Sequence, residues 1–365
     1  MDLVVNQKRL ISAVRTVEKI VSKNISLPIL NTILLKTDNG RLKLSATNLE
    51  IGINYWLGVK INENGEIAVP ARVFSDFINN VTDEKLSLIT KKNTIFINSE
   101  NYKTQILGIE TKDFPIIPQI KKEASFKINS QKVKTALTSV IDSASLSETR
   151  PEISGVYVSI SSKKAEFAAT DSFRLSEKII DLLDSSAKTF ILPRNTVVEI
   201  IRVAENIEGD LSFVVSDNQI LIYGDDFEII SRLIDGHYPE YKRVIPEKFV
   251  ALAKVQKSEF EKSIRMASIF SSSISDIKIK ADKDLMEISA KNSDRGEIAA
   301  NLACEIKNKP FEISVNYHYL LDGLKSVSTD HVILEFTGDG GPLVIKGENQ
   351  KDHTYVIMPL RNLRN

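Results

Sequence analysis

The chain has 365 residues, 42% hydrophobic and 26% charged, enough for packed cores in two or three domains of a soluble protein. Lys+Arg and Asp+Glu both number 48, and zero net charge argues against coating nucleic acid by bulk charge, though not against basic residues sorted onto one surface. Cys304 is the single cysteine, MDLVVNQKRL lacks a signal-peptide layout and no apolar run approaches ~20 residues, so a disulfide-free cytoplasmic protein with no membrane partner is expected.

From the N-terminus, the extended stretch DLVVN leads into NQKRLISAVRTV. Leu10, Val14 and Val17 recur there at i, i+4 and i+7, which predicts one face of an amphipathic helix. In RLKLSA, Leu42, Leu44 and Ala46 alternate as in a half-buried strand, which ends at the corner Ala46-Thr47-Asn48. VPARVFSDFINNV predicts a second helix through Phe74, and the segment closes on Phe114-Pro115.

The same order then returns. SFKIN precedes a helix with Val133, Leu137 and Val140; Ala165, Phe167 and Ala169 alternate toward the corner Ala169-Thr170-Asp171; LPRNTVVEIIRVA carries Val197; and Tyr238-Pro239 closes the copy. A third round runs from VALAKV through Phe260, Ile264 and Ala267, then Met286, Ile288 and Ala290, then Leu320 in VNYHYLLDGLKSV, to Met358-Pro359. The third copy continues Lys291-Asn292 and keeps the corner only loosely. Chance accounts for one matching landmark, not for four in register. The pattern predicts an α+β chain of three similar domains, 1–121, 122–248 and 249–365, each with two helices and many strands. The charged stretches IKKEAS and PEKFVA near the joins suit short connectors.

Motifs for catalysis are missing. His237, His318, His331 and His353 form neither HxxxH nor HExxH, and Cys304 has no nearby Cys or His, so no metal site or other cofactor is expected. There is no GxxxxGK[ST] and no GxSxG. GDGG at 338–341 lies between VILEF and LVIKG and is read as a hairpin turn; Asp225-Asp226 is read as turn residues.

LPIL at 27–30, ATDSFRLS at 169–176, DGHYPEYKRVIP at 235–246 and MPLR at 358–361, in this order on a threefold repeat, resemble the bacterial DNA sliding clamp, the beta subunit of DNA polymerase III. The resemblance implies the clamp fold, with helices packed on antiparallel sheets, and a head-to-tail homodimeric ring around duplex DNA. It implies a processivity factor rather than an enzyme. Its partners would be double-stranded DNA without sequence preference, the replicative polymerase, an ATP-driven clamp loader, and other polymerases and repair proteins with clamp-binding peptides. The competing readings are a repeat-built enzyme with its site between domains and a peptide-binding scaffold that does not encircle DNA.

The resemblance also assigns residues. The peptide pocket maps to Ile153, Thr170, Ser172, Phe173, Arg174, Leu175, Pro239, Arg243, Val244, Val356, Met358, Pro359, Leu360 and Arg361. Ser172-Phe173 stands where the family often has Gly and an aromatic or His, and NLRN extends beyond Arg361. DNA contacts map to Arg72, Arg150 and Arg194, with Lys23 beside Asn24, which replaces an Arg of relatives. Lys8, Arg9, Arg15, Lys19, Lys132, Lys134, Lys257, Lys262 and Arg265 on the first helices suit either a positive pore or plain solvated faces. The dimer interface maps to Thr104 and Ile106 on one side and Ile269 and Phe270 on the other, as strand edges that invite pairing.

Overall fold

The computed structural model describes residues 1–21, 26–147, 149–182, 187–205 and 207–360; Lys23, Asn24, Arg361 and the NLRN tail lie outside the described residues. Six helices occur among them, two per repeat: α1 (Gln7–Glu18), α2 (Ala71–Asn80), α3 (Ser130–Ile141), α4 (Arg194–Ala204), α5 (Lys257–Ser268) and α6 (Tyr317–Lys325). Each first helix follows directly on a strand: Asp2–Asn6, Phe126–Asn129 and Ala251–Gln256. Asn6 ends the first of these strands and caps α1, its side chain accepting from Arg9 N at 3.3 Å. Asn129 Oδ1 plays the same part for Gln131 N at 3.1 Å. The expected apolar faces are buried: Leu10, Val14 and Val17 on α1, Phe260, Ile264 and Ala267 on α5.

The chain divides into two compact units, Met1–Val133 with Val198–Leu233 and Lys134–Val197 with Ile234–Asn365. The first unit holds two antiparallel sheets. The five-stranded one runs Lys60–Glu63, Asp2–Asn6, Lys85–Lys91, Thr94–Asn98, Lys103–Leu107. The eight-stranded one joins two repeats: Phe227–Arg232 of the second pairs with Ile51–Gly58 of the first, Ile229 opposite Ile53. α1 and α2 are tied together by Gln7 Nε2, which donates to the carbonyls of Ile78 and Val81 at 3.2 and 2.6 Å.

The second unit is built on a twelve-stranded antiparallel sheet that again crosses a repeat join. Arg174–Asp181 pairs with His353–Ile357, and Leu175 faces Val356. α5 and α6 pack their apolar faces over a core that includes Met286, Ile288, Val332, Leu334 and Tyr355. Gly323 makes the approach of α6 possible, because a Cβ there would stand 2.7 Å from the Tyr355 ring. The GDGG stretch is the expected hairpin turn between His331–Phe336 and Leu343–Gly347.

The repeated corner is built the same way twice. Thr47 Oγ1 donates to Ile51 O (2.9 Å) and accepts from Leu49 N (3.0 Å); Thr170 Oγ1 donates to Arg174 O (2.6 Å) and accepts from Ser172 N (3.1 Å). Asn48 Oδ1 accepts from the amides of Glu50 and Ile51, as Asp171 Oδ1 does from Phe173 and Arg174. Both corners place a non-glycine residue in the left-handed region, Leu49 at φ 76° and Ser172 at φ 77°. The third copy keeps only the Asx part: Asn292 Oδ1 accepts from Asp294 N and Arg295 N.

At the seam of the second unit His353 is 1% exposed. Ser176 Oγ donates its one proton to Ser139 O (2.7 Å), so at 3.1 Å it can only accept from His353 Nε2, which fixes the tautomer. Burial, with Lys178 close by, pushes the imidazole down to about 4. The unfolded chain takes up this proton near pH 6.5 and the folded chain near 4, so this contribution to stability is intact above pH 6.5 and drains away as pH falls toward 4. Urea unfolding should lose roughly 3 kcal/mol on this account between those limits. His353→Gln should lose that part of the pH slope, and an unchanged slope would show that another group carries it.

Candidate functional site

A cavity of about 240 Å³ opens in the second unit, on the face of the sheet beside the second corner. Side chains on paired strands alternate in step, so Thr170, its partner Leu175 and the next partner Val356 share one face and make the floor. Ile153, from the 3-10 turn Pro151–Ile153, closes one end. The segment after Gly236 returns over the sheet and supplies Pro239 and Val244 as a wall, with Met358 completing the rim. Leu175 and Val356 are buried in one small apolar cluster with Ala168, Tyr241 and Val344, whereas Val244 stays 48% exposed at the mouth.

Nine of the residues assigned from sequence line this cavity: Ile153, Thr170, Ser172, Arg174, Leu175, Pro239, Val244, Val356 and Met358. Phe173 contributes backbone, its carbonyl accepting from Met358 N at 2.8 Å, while its ring is 60% exposed. Arg243 points to solvent, paired with Glu240 at 2.5 Å. Pro359 and Leu360 are half-buried past the rim, and Leu360 N donates to Ser314 O at 2.8 Å. Three lining residues were not assigned to the pocket from sequence: Arg150, Glu240 and Tyr241. Glu240 and Tyr241 stand inside DGHYPEYKRVIP, and an aromatic in a connector was the available signal.

The polar groups of the walls are largely spent on the fold. Arg174 donates to Asp171 (3.0 Å) and Asp322 (2.5 Å) and lies 4.6 Å from the Tyr319 ring centre. Burial works against its charge, but Tyr355, Asp322 and Asp171 outweigh that and hold the guanidinium protonated. Burial likewise works to raise Asp322, and its hydrogen bonds from Lys325 and Arg174 bring it below the usual carboxylate range. Arg174 therefore offers the cavity its stem rather than a free charge. Arg150 is more open: Nη1 donates to Ser172 Oγ at 3.2 Å and Nε to Glu152 at 3.1 Å.

The residues assigned to DNA sit on different elements. Arg72 on α2 is 80% exposed, with a loose pair to Asp76 at 3.8 Å. Arg194, at the start of α4, donates to the Ile141 carbonyl at the end of α3 and lies 4.0 Å from Asp142. Lys8 and Arg15 on α1 and Lys19 at its C-terminal cap form an exposed stripe.

Two of the strand edges among the described residues bear on the positions assigned to the dimer contact. Lys103–Leu107 ends the five-stranded sheet and pairs in it only with Thr94–Asn98; Ile106 is 6% exposed and faces the core, Thr104 is half-buried, and Leu107 is 72% exposed. In the long strand Gly296–Asn308, residues 296–303 pair with Leu285–Asn292, and only 304–308 pair on the opposite side with Ala251–Gln256. Phe270 is half-buried against the core beside Gly296, and Ile269 is 53% exposed. The open 296–303 edge has no signature in its residues, because Ile298 and Leu302 read as ordinary core and an unpaired backbone carries no side-chain signal.

Among the described residues no cluster of His, Cys, Asp and Glu is placed to hold a metal, and no helix is long and apolar enough to cross a membrane. Profiles of the DNA polymerase III beta subunit match the whole fold in order: N-terminal domain at 1–118, central domain at 127–240 and C-terminal domain at 242–361. The beta sliding clamp of Staphylococcus aureus is 26% identical over 374 residues, covering 99% of each chain. Among solved structures, the beta subunit of Thermotoga maritima superposes with a TM-score of 0.94 at 22% identity, covering 99% of each chain. The Pseudomonas aeruginosa clamp bound to griselimycin gives 0.93 at 22%, also over 99% of each. With all three domains matched in sequence and the fold matched throughout, the chain belongs to the DNA polymerase III beta subunit family, the bacterial sliding clamps.

Proposed function

We propose that this polymerase processivity subunit pairs head-to-tail with a second copy into a ring around duplex DNA, and holds its partners by short linear peptides seated in the Leu175–Val356 cavity. The observation that carries the reading is an apolar cavity whose wall polar groups are largely engaged within the fold. Such a floor takes aliphatic and aromatic anchors of an extended peptide. The partners would be the replicative polymerase, an ATP-driven loader, and other polymerases and repair proteins carrying such peptides. The griselimycin bound by the Pseudomonas aeruginosa clamp motivates a ligand site in this chain as well. The open edges at 103–107 and 296–303 are unlike surfaces, which suits a heterologous contact that closes if the rotation allows. The α1 stripe and Arg72 would meet phosphates without reading bases. The setting is cytoplasmic.

The deciding experiment loads the protein onto nicked circular DNA with a cognate loader and then linearises the circle. Retention on the circle and loss from the linear form are expected; equal retention on both excludes a ring.

A labelled peptide ending Gln-Ala-Ala-Leu-Phe, followed by fluorescence anisotropy, tests the cavity. Leu175→Ala and Met358→Ala should each cost about 1–3 kcal/mol of binding. Removing residues 358–365 should abolish binding and leave a dimer by sedimentation; unchanged affinity places the peptide elsewhere.

For DNA, Lys8→Ala, Lys19→Ala and Arg72→Ala together should lower the salt dependence of binding by about one slope unit per lost phosphate contact, equally for unrelated sequences. This set avoids Arg150 and Arg194, which have structural partners. A changed base preference with an unchanged slope contradicts the electrostatic reading.

A further inference from the structure

Beyond the cavity floor, the same sheet face carries two carboxylates. Strand register puts Thr170 opposite Leu175, Ala168 opposite Glu177 and Glu166 opposite Ile179, so Glu166 and Glu177 point to the side on which the cavity lies. They are 7% and 9% exposed. Covering a carboxylate is costly unless it is paired, so what covers and pairs these two matters.

The cover is the returning connector. Lys242 Nζ lies 2.5 Å from Glu166 Oε2, with Lys164 at 2.9 Å on the other oxygen. Tyr241 OH donates to Glu177 Oε1 at 2.8 Å. Tyr241 and Lys242 open the 3-10 turn Tyr241–Val244, whose last residue is the apolar lip of the cavity. The Tyr241 ring stands edge-on to Tyr157 and Tyr238, which stack at 4.9 Å. Burial works to raise the Glu166 carboxyl, and the two lysines outweigh it, so the pin stays ionised.

We propose that Glu166 and Glu177 are positioning residues of the partner cavity, fixing through Lys242 and Tyr241 the connector wall that bears Pro239 and Val244. The inference rests on the peptide reading of the cavity given above. The turn's own backbone bonds, Tyr241 N to Pro239 O at 2.6 Å, Arg243 N to Glu240 O at 3.1 Å and Ile245 N to Lys242 O at 3.3 Å, do not reach the strands, so its height over the sheet rests on the non-directional packing of the Tyr241 ring on Ala168, Leu175, Val344 and Val356 and on the two directional pins. With the ring packed, the pins fix the gap between the Val244 lip and the Leu175 floor, which an apolar anchor must fill.

The test is anisotropy titration of the labelled Gln-Ala-Ala-Leu-Phe peptide against the full chain, at a temperature where circular dichroism shows every variant folded. Lys242→Glu sets a second carboxylate beside Glu166 and should weaken binding about tenfold; adding Glu166→Lys together with Lys164→Gln, which removes the cation that would face the new lysine, should return it to within about threefold of wild type. Tyr241→Phe keeps the ring but removes its bond to Glu177, and should also weaken binding about tenfold; adding Glu177→Leu leaves the wall unpinned and should not restore it, whereas a loss caused only by an unpaired buried carboxylate would be restored. Lys242→Met serves where Lys242→Glu lowers the folded fraction, with a loss of about threefold expected. A general loss of packing would not be rescued by the charge swap. Single variants that bind like wild type, a charge swap that fails to rescue, or a Tyr241→Phe with Glu177→Leu double that binds like wild type overturn the positioning role while leaving the cavity assignment intact. Wild type that does not bind the peptide overturns the cavity reading itself, and the inference with it.

Discussion

The structure depends on one kind of contact, antiparallel pairing between the edge strand of one repeat and the edge strand of the next. Each four-strand group ends in a row of backbone amides and carbonyls that must find partners. Phe227–Arg232 satisfies Ile51–Gly58, and His353–Ile357 satisfies Arg174–Asp181. Hydrogen-bond register then fixes side-chain register. Because Leu175 stands opposite Val356, two apolar residues from distant parts of the chain become one floor. The corner that precedes one seam strand and the segment that follows the other are thereby brought to the same place, which is why the cavity sits there.

Around that floor the polar chemistry is turned inward. Thr170 holds its own turn, Arg174 is shared among Asp171, Asp322 and the Tyr319 face, and Tyr241 and Lys242 are committed to the sheet. These interactions bring little net stability when solvated and matter most where they are half-buried. Their effect is geometric. They hold walls of defined height around apolar surface, so that recognition can come from a few well-seated anchors rather than from many weak polar contacts. His353, neutral beneath the seam, shows the same economy: its single donated bond goes to Ser176, which itself bonds the last turns of α3.

Much of this was legible in the residues. Helix faces followed from the i, i+4, i+7 spacing because a helix in a small domain must bury one stripe. The corner written as Ala-Thr-Asn and again as Ala-Thr-Asp was recognisable because its hydrogen bonds are local: a hydroxyl and an Asx oxygen reach backbone two to four residues away, so the geometry travels with the words. The repeat itself was visible for the same reason. Nine residues carried over from motif resemblance do meet in one cavity, since each belongs to a locally specified turn or strand.

What the residues left open were the relations between distant segments. Ile106 reads equally as core or contact, and only the sheet turns it inward and leaves Leu107 outside. Arg150 reads from the resemblance as a DNA contact, and the fold places it against Ser172 in the cavity lining. The open edge at 296–303 has no signature, because an unpaired backbone is a property of the neighbours a strand lacks rather than of its side chains. The amino-acid sequence by itself determined the repeat, the helices and the corners, which depend on interactions within a few residues. The tertiary structure alone decided which edges pair, which stay open and which carboxylates lie under the connector, because those depend on strand register between segments far apart in the chain.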